Sequence, residues 1–221
     1  MKTFFTLILL AFSISAQERY LKPVDEAHLD PSFLAFRTKL ISAVERRDVE
    51  HIYSVLDPKI ELSFGGDAGV RDFKRMWRLH QKSSPFWAEF GAVIKNGGRF
   101  DIDDAGRRRG VFAAPYTHTS FPEDLDSFEY SAIFGTDVNL RKDPNVRADV
   151  VAKLSHNIVR IEPETLPKSG KSEYPGWFRI KTLGGLEGFV KAEFVRSPID
   201  YRAVFEKKRG RWVMVAFIAG D

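Results

Sequence analysis

The chain contains no cysteine and few of the other residues that commonly bind transition metals. Without cysteine there is no disulfide framework, cysteine nucleophile, iron–sulfur cluster, thiolate zinc site or lipid anchor on cysteine. There are three methionines, and the five histidines show neither an H-x-H nor an H-E-x-x-H spacing. The sequence therefore predicts no metal and no cofactor, and a zinc site assembled from distant residues is the disfavoured alternative.

Two enzyme motifs are also missing. The nucleophile elbow G-x-S-x-G does not occur. The glycine-rich stretch 63–69 continues as Val70-Arg71 and not as the Lys-Ser/Thr of a phosphate loop. We interpret it as a strand-to-helix connection capped by Asp67, with an anion-binding turn as the alternative. No catalytic residue is assigned. The alternative is a catalytic pair of carboxylates without a recognisable motif, for example among Glu61, Asp67 and Asp72.

Only the N-terminus carries a long hydrophobic run, from Phe4 to Phe12. Lys2 precedes it, and the small residues 13–16 separate it from the polar Gln17. This order is typical of a signal peptide cleaved after residue 15 or 16, and a buried N-terminal element is the alternative. The run is about half of the ~20 residues that cross a bilayer. The sequence thus predicts an exported protein, periplasmic or secreted, without a transmembrane anchor.

The remaining composition is that of a folded chain, with 43% hydrophobic and 29% charged residues and a net charge of +4. The basic excess lies in residues 134–221. Two basic turns, Arg107–Arg109 and Lys207–Arg211, could contact phosphates or anionic wall polymers, but such runs are more often solvated. Because export is predicted, we expect no nucleic-acid partner.

The N-terminal half is patterned as helices. Asp30-Pro31 predicts a helix start, because aspartate caps helices and proline suits the first helical position. Asp48 predicts a second, short helix that Asp57-Pro58 ends. Two more helices are predicted before residue 98. The large apolar residues at helical spacing are expected in the core: Phe33, Phe36, Phe73, Trp77, Trp87 and Phe90.

The C-terminal half is patterned as strands. From residue 99 onward the apolar period changes from 3.6 to 2, which predicts short strands. The last two, 201–206 and 211–218, flank a basic turn and predict a β-hairpin. An isolated hairpin is only marginally stable, so we expect it to need partner strands, with those before residue 134 as candidates.

Residues 135–196 resemble the bacterial SH3 domain, SH3b. The matching pieces are a V-N-L-R strand at 138–141, a Pro-containing loop at 143–145, and a strand at 150–154. A G-W-x-x-I strand at 176–180 and a G-F-V turn at 188–190 complete the pattern. The resemblance implies a small β-barrel with an aromatic-lined groove for an extended peptide or glycan strand. Phe189 is expected in the barrel core.

The predicted fold class is therefore α+β: a helix-rich N-terminal domain and a small SH3-like β-barrel, closed by a C-terminal β-hairpin. The boundaries are a signal peptide at 1–16, a helix-rich α+β domain at 17–133, the SH3b-like barrel at 134–196 and the hairpin at 197–221. In one alternative the hairpin completes the N-terminal domain's sheet, and the barrel is an insertion. The element order of the N-terminal half is similar to that of the NTF2-like fold.

Three aromatic residues are the predicted ligand contacts: Trp177, Tyr174 and Tyr116. Trp177 and Tyr174 border a polar loop, and Tyr116 precedes the SH3b-like segment. The resemblance implies a non-enzymatic binding protein of the cell envelope, with a cell-wall peptide, a glycan or an envelope protein as partner. The alternatives are a cell-wall enzyme with an unrecognised N-terminal catalytic domain and a structural envelope protein.

Overall fold

A computed structural model describes residues 17–163 and 176–220 of the chain. Within these residues it contains five α-helices and two β-sheets. The α+β class expected from the sequence is thus confirmed at this level. None of the described helices has the length and apolar character needed to cross a membrane.

The first helix begins where the Asp30-Pro31 signal predicts. Helix α1 spans Pro31–Arg46, and the Asp30 carboxylate accepts hydrogen bonds from the amides of Ser32 and Phe33. Helix α2 spans Val49–Ser54, and Asp48 caps it by accepting from the amide of His51. Both caps satisfy amides that have no partner inside the helix, which fixes where the helices start.

The remaining elements follow in chain order. The other helices are α3 (Gly69–Trp77), α4 (Phe86–Ile94) and α5 (Tyr116–Thr119). The first strands are β1 (Leu56–Glu61), β2 (Arg99–Ile102), β3 (Arg108–Ala114), β4 (Tyr130–Ile133), β5 (Val138–Arg141) and β6 (Val150–Leu154). They are followed by β7 (Ile158–Ile161), β8 (Trp177–Thr182), β9 (Glu187–Lys191), β10 (Val195–Arg196), β11 (Arg202–Lys208) and β12 (Arg211–Ile218).

The first sheet has the strand order β1-β12-β11-β3-β2. The predicted hairpin β11–β12 pairs on one side with β3, antiparallel, and on the other with β1, parallel. Helix and strand side chains share one core, in which the ring of Phe33 lies 4.2 Å from that of Phe112. A helix-rich N-terminal domain complete by residue 133 is not confirmed, because two of the five strands come from beyond residue 200.

The second sheet has the strand order β10-β4-β7-β8-β9-β5-β6. Strand β4, which the predicted boundaries assign to the N-terminal domain at 17–133, belongs to this sheet. The closed SH3-like barrel expected from the sequence is not found, since no strand pairing joins the edges β6 and β10 in the described residues. A core of apolar side chains nevertheless covers one face, with Leu140, Ile180 and Val190 fully buried.

The segment before α1 connects the two sheets. The amide of Ile158, in the second sheet, donates to the carbonyl of Arg19, and the carbonyl of Val24 accepts from the amide of Gly98, beside the first sheet. The Glu18 carboxylate accepts from Thr182 Oγ1 at 2.5 Å and from Asn157 Nδ2 at 3.2 Å. Residues 18–26 therefore tie both sheets together.

Candidate functional site

A groove of about 250 Å³ lies beside Trp177 in the second sheet. We call it the Trp177 groove. Its apolar lining comes from Val138, Val146, Trp177 and Phe194, and its polar lining from Asn139, Arg141, Lys191 and Glu193. Aromatic and aliphatic walls with a few polar groups are characteristic of ligand sites.

Five parts of the chain supply this lining. Strand β5 carries three of the residues, and the loop that follows it carries Val146, which is 60% exposed. Trp177 begins β8 directly opposite Lys191, the last residue of β9. A 3₁₀ turn over Ala192–Phe194 then brings Phe194 into the wall. The groove therefore depends on the pairing of β8, β9 and β5.

A glycine allows β5 to approach β9 closely enough to form the groove. A Cβ atom on Gly188 would lie 2.6 Å from the carbonyl oxygen of Arg141, closer than real Cβ contacts. Arg141 pairs in register with Phe189, the next residue. The close approach explains why a glycine begins the G-F-V sequence. The expectation that Phe189 lies in the core is wrong. Because side chains alternate along a strand, Val190 points into the core and Phe189 is only half-buried.

The charged groups at the Trp177 groove form contacts within the protein. The Arg141 guanidinium donates to the carbonyl of Ala148 at 2.7 Å, which holds the β5–β6 loop. Lys191 and Glu193 form an ion pair at 3.2 Å, with both side chains substantially exposed. The result is an apolar surface with hydrogen-bonding groups at its border. Such a surface suits binding of a chain molecule.

Tyr116 does not reach the Trp177 groove. It is 2% exposed, its ring stacks on Phe134 at 5.7 Å, and its hydroxyl lies 3.2 Å from Nδ1 of His156. Burial raises the pKa of Tyr116 to about 12. Tyr116 therefore packs against the second sheet and the segment before α1, in place of the surface contact expected from the sequence. Tyr174 lies outside the described residues.

The carboxylates considered as an acid–base pair are held by a shared arginine. Arg75 Nη2 lies 3.0 Å from Asp67 and 3.4 Å from Asp72. Asp67 also accepts from Ser63 Oγ, and α3 has no side-chain cap, so the expected capping role of Asp67 is wrong. Across residues 17–163 and 176–220, no three His, Asp or Glu side chains come together as a metal site.

No family model matches the chain, and no curated protein matches it. Among the residues that line the Trp177 groove, the sequence predicted only Trp177 as a ligand contact. Phe194, Lys191 and Glu193 depend on the 3₁₀ turn that follows β9, and an aromatic residue four positions after the G-F-V turn was the available signal.

Proposed function

We propose that this protein is an exported, non-enzymatic binding protein of the cell envelope. Its second sheet is an SH3b-like module, and the Trp177 groove holds an extended cell-wall peptide or glycan strand. Export rests on the sequence pattern of residues 1–16. The observation that carries the binding function is an exposed aromatic groove with polar groups along its border.

The order of elements supports an SH3b-like module. Strands β7, β8 and β9 are consecutive antiparallel neighbours, and a 3₁₀ turn separates β9 from β10. The sequence pieces that resemble SH3b fall on these elements: the G-W-x-x-I strand is β8, and V-N-L-R is β5. The groove lies between the β5–β6 loop and the 3₁₀ turn.

The size and chemistry of the groove favour a chain molecule over a compact ligand. Enclosed sites for compact ligands usually have volumes of about 300–1,000 Å³. The Trp177 groove is smaller, about 250 Å³, and it opens to solvent along an exposed loop. Extended chains in such grooves use backbone hydrogen bonds for affinity and side-chain pockets for specificity. Asn139 and Arg141 can hydrogen-bond such a chain while Trp177 contacts its apolar face.

The test is retention of the purified protein on cell-wall sacculi at low salt. We expect the wild type to be retained and Trp177→Ala to bind at least tenfold more weakly, because a buried aromatic contact at a binding site contributes about 2 kcal/mol. Phe128→Ala is the matched control. It removes an aromatic side chain that is 72% exposed and lies outside the groove, so binding should stay within twofold of wild type.

Three results would contradict the proposal. The wild type could fail to bind sacculi at low salt. Trp177→Ala could bind as well as the wild type while its circular dichroism shows a native fold. Release of soluble wall fragments during the incubation would show that the protein is an enzyme.

A further inference from the structure

A second cavity, of about 470 Å³, lies at one end of the first sheet. We call it the Arg108 cavity. Its lining residues are Asp30, Phe100, Gly106, Arg107, Arg108 and Gly110. It shares none of them with the Trp177 groove. It lies between the β2–β3 turn and the N-terminal end of α1.

The sheet brings the two basic turns of the sequence to this end. Strands β3 and β11 are antiparallel, with Val111 paired to Glu206. The turn residues 107–109 and 207–209 follow from that register on neighbouring strands at the same end of the sheet. A Cβ atom on Gly110 would lie 3.7 Å from the Cβ of Lys207. Two segments about 100 positions apart in the sequence thus form one basic surface.

Within the described residues, Arg108 is the arginine in the lining of the cavity that has no carboxylate at ion-pair distance; Arg209 and Arg211 also have none, but they lie outside the lining. The neighbours of Arg108 are paired: Arg107 with Asp103 at 2.8 Å and Arg109 with Asp101 at 3.6 Å. The Arg108 guanidinium instead lies over the ring of Phe100, 5.7 Å from the ring centre. A guanidinium placed on a ring is held in orientation while its N–H groups stay available at the edge.

The one carboxylate in the lining, that of Asp30, already has hydrogen-bond partners within the protein. Asp30 accepts hydrogen bonds from the hydroxyl and amide of Ser32 and from the amide of Phe33. Lys207 Nζ lies 3.7 Å from it. The hydrogen bond from the Ser32 hydroxyl is the largest of these effects, and together they hold the pKa of Asp30 below its usual value. Asp30 is therefore ionised, and its carboxylate is occupied by these donors and faces Lys207.

We propose that the Arg108 cavity binds a carboxylate or phosphate group carried by a small molecule. Arg108 is the charged contact, because a guanidinium fork matches the two oxygens of such anions. Phe100 forms the apolar floor. Gly106 and Gly110 carry no side chain, which leaves the space open, and the volume lies within the range of small-molecule sites. The site is independent of the Trp177 groove.

The test is titration of the purified protein by calorimetry and by NMR amide shifts, with inorganic phosphate and glucuronate as probes and glucose as the uncharged comparison. We expect saturable binding of at least one anion, with shifts at residues 106–110, and none of glucose. If only phosphate binds, the ligand is a phosphate compound. If only glucuronate binds, it is a carboxylate on a larger frame.

Variants distinguish a site from general attraction to a basic protein. Arg108→Gln should weaken binding at least tenfold. Arg109→Gln removes the same charge from the neighbouring, paired arginine and should change binding less than twofold. Arg108→Lys keeps the charge but loses the guanidinium fork, so its affinity for the anion should be intermediate. It also replaces Arg108→Gln as the test if that variant does not fold. Trp177→Ala should have no effect. Absence of saturable binding, or equal losses at Arg108 and Arg109, would overturn the proposal.

Discussion

Single glycines fix how closely the backbone segments of the first sheet can approach. Gly98 lies just before β2 with φ of +146°, a conformation that residues with a side chain rarely adopt. A Cβ atom there would overlap the carbonyl oxygen of Ala113 on β3 and lie 2.9 Å from the ring of Phe112. Both neighbours belong to a packed strand, so neither can move away cheaply.

We predict that Gly98→Ala lowers the free energy of unfolding by about 3 kcal/mol or more, because backbone strain and overpacking add. Gly106→Ala is the matched control. It also has positive φ, +73°, but a Cβ there meets nothing within 4 Å. Its expected cost is about 1 kcal/mol, the strain alone. Urea unfolding of both variants measures the difference. Equal losses of stability would show that the close approach of residue 98 to β3 does not determine the effect of Gly98→Ala.

At the scale of elements, α1 depends on its Asp30 cap. We predict that Asp30→Ala lowers stability by about 1–2 kcal/mol, the usual effect of losing an N-cap carboxylate. Asp30→Asn keeps a side-chain oxygen for the amides of Ser32 and Phe33 while removing the charge near Lys207. It should cost about 0.5 kcal/mol or less. Thermal and urea unfolding test this, and equal losses would assign the effect to the ion pair.

Elements with strong local signals could be predicted from the sequence. Asp30-Pro31 and Asp48 mark the starts of α1 and α2 because the capping hydrogen bonds are local. The strand predicted at 150–154 has the same bounds in the structure, and the predicted G-W-x-x-I strand at 176–180 begins within one residue of the start of β8. Their alternating apolar residues or uninterrupted apolar runs carry the information without reference to the rest of the chain.

Elements decided by tertiary neighbours were mispredicted. The short helix expected before Asp57-Pro58 is present as α2, but it already ends at Ser54, and Asp57 and Pro58 lie inside β1, where Pro58 is exposed. A proline is tolerated there because β1 is an edge strand, with β12 as its one neighbouring strand among the described residues. The four-residue β2 has one buried side chain, Phe100, and so it gives little periodic signal. The sequence predicted only Trp177 of the Trp177 groove, because the walls of the groove come from separate elements that tertiary pairing brings together.

At the scale of the whole molecule, Arg196 connects the two sheets. It lies on β10 of the second sheet and donates from Nη2 to Glu89 Oε1 on α4 and to the carbonyl of Tyr201, each at 2.8 Å. Its guanidinium also lies 5.9 Å from the ring centre of Phe134. The side chain is 10% exposed, and that of Glu89 is 33% exposed. Together with residues 18–26, this contact makes the two sheets depend on one another.

We predict that the wild type unfolds in one calorimetric transition and that Arg196→Met lowers stability by about 2–3 kcal/mol and separates the transition into two. The cost is below the ~3–5 kcal/mol of fully buried pairs because Glu89 retains contact with water. Arg160→Met is the control, since the Arg160–Glu129 pair, at 3.5 Å, has both side chains about half exposed. It should cost less than about 1 kcal/mol and keep a single transition. An Arg196 variant no less stable than the Arg160 variant would show that Arg196 does not couple the two sheets.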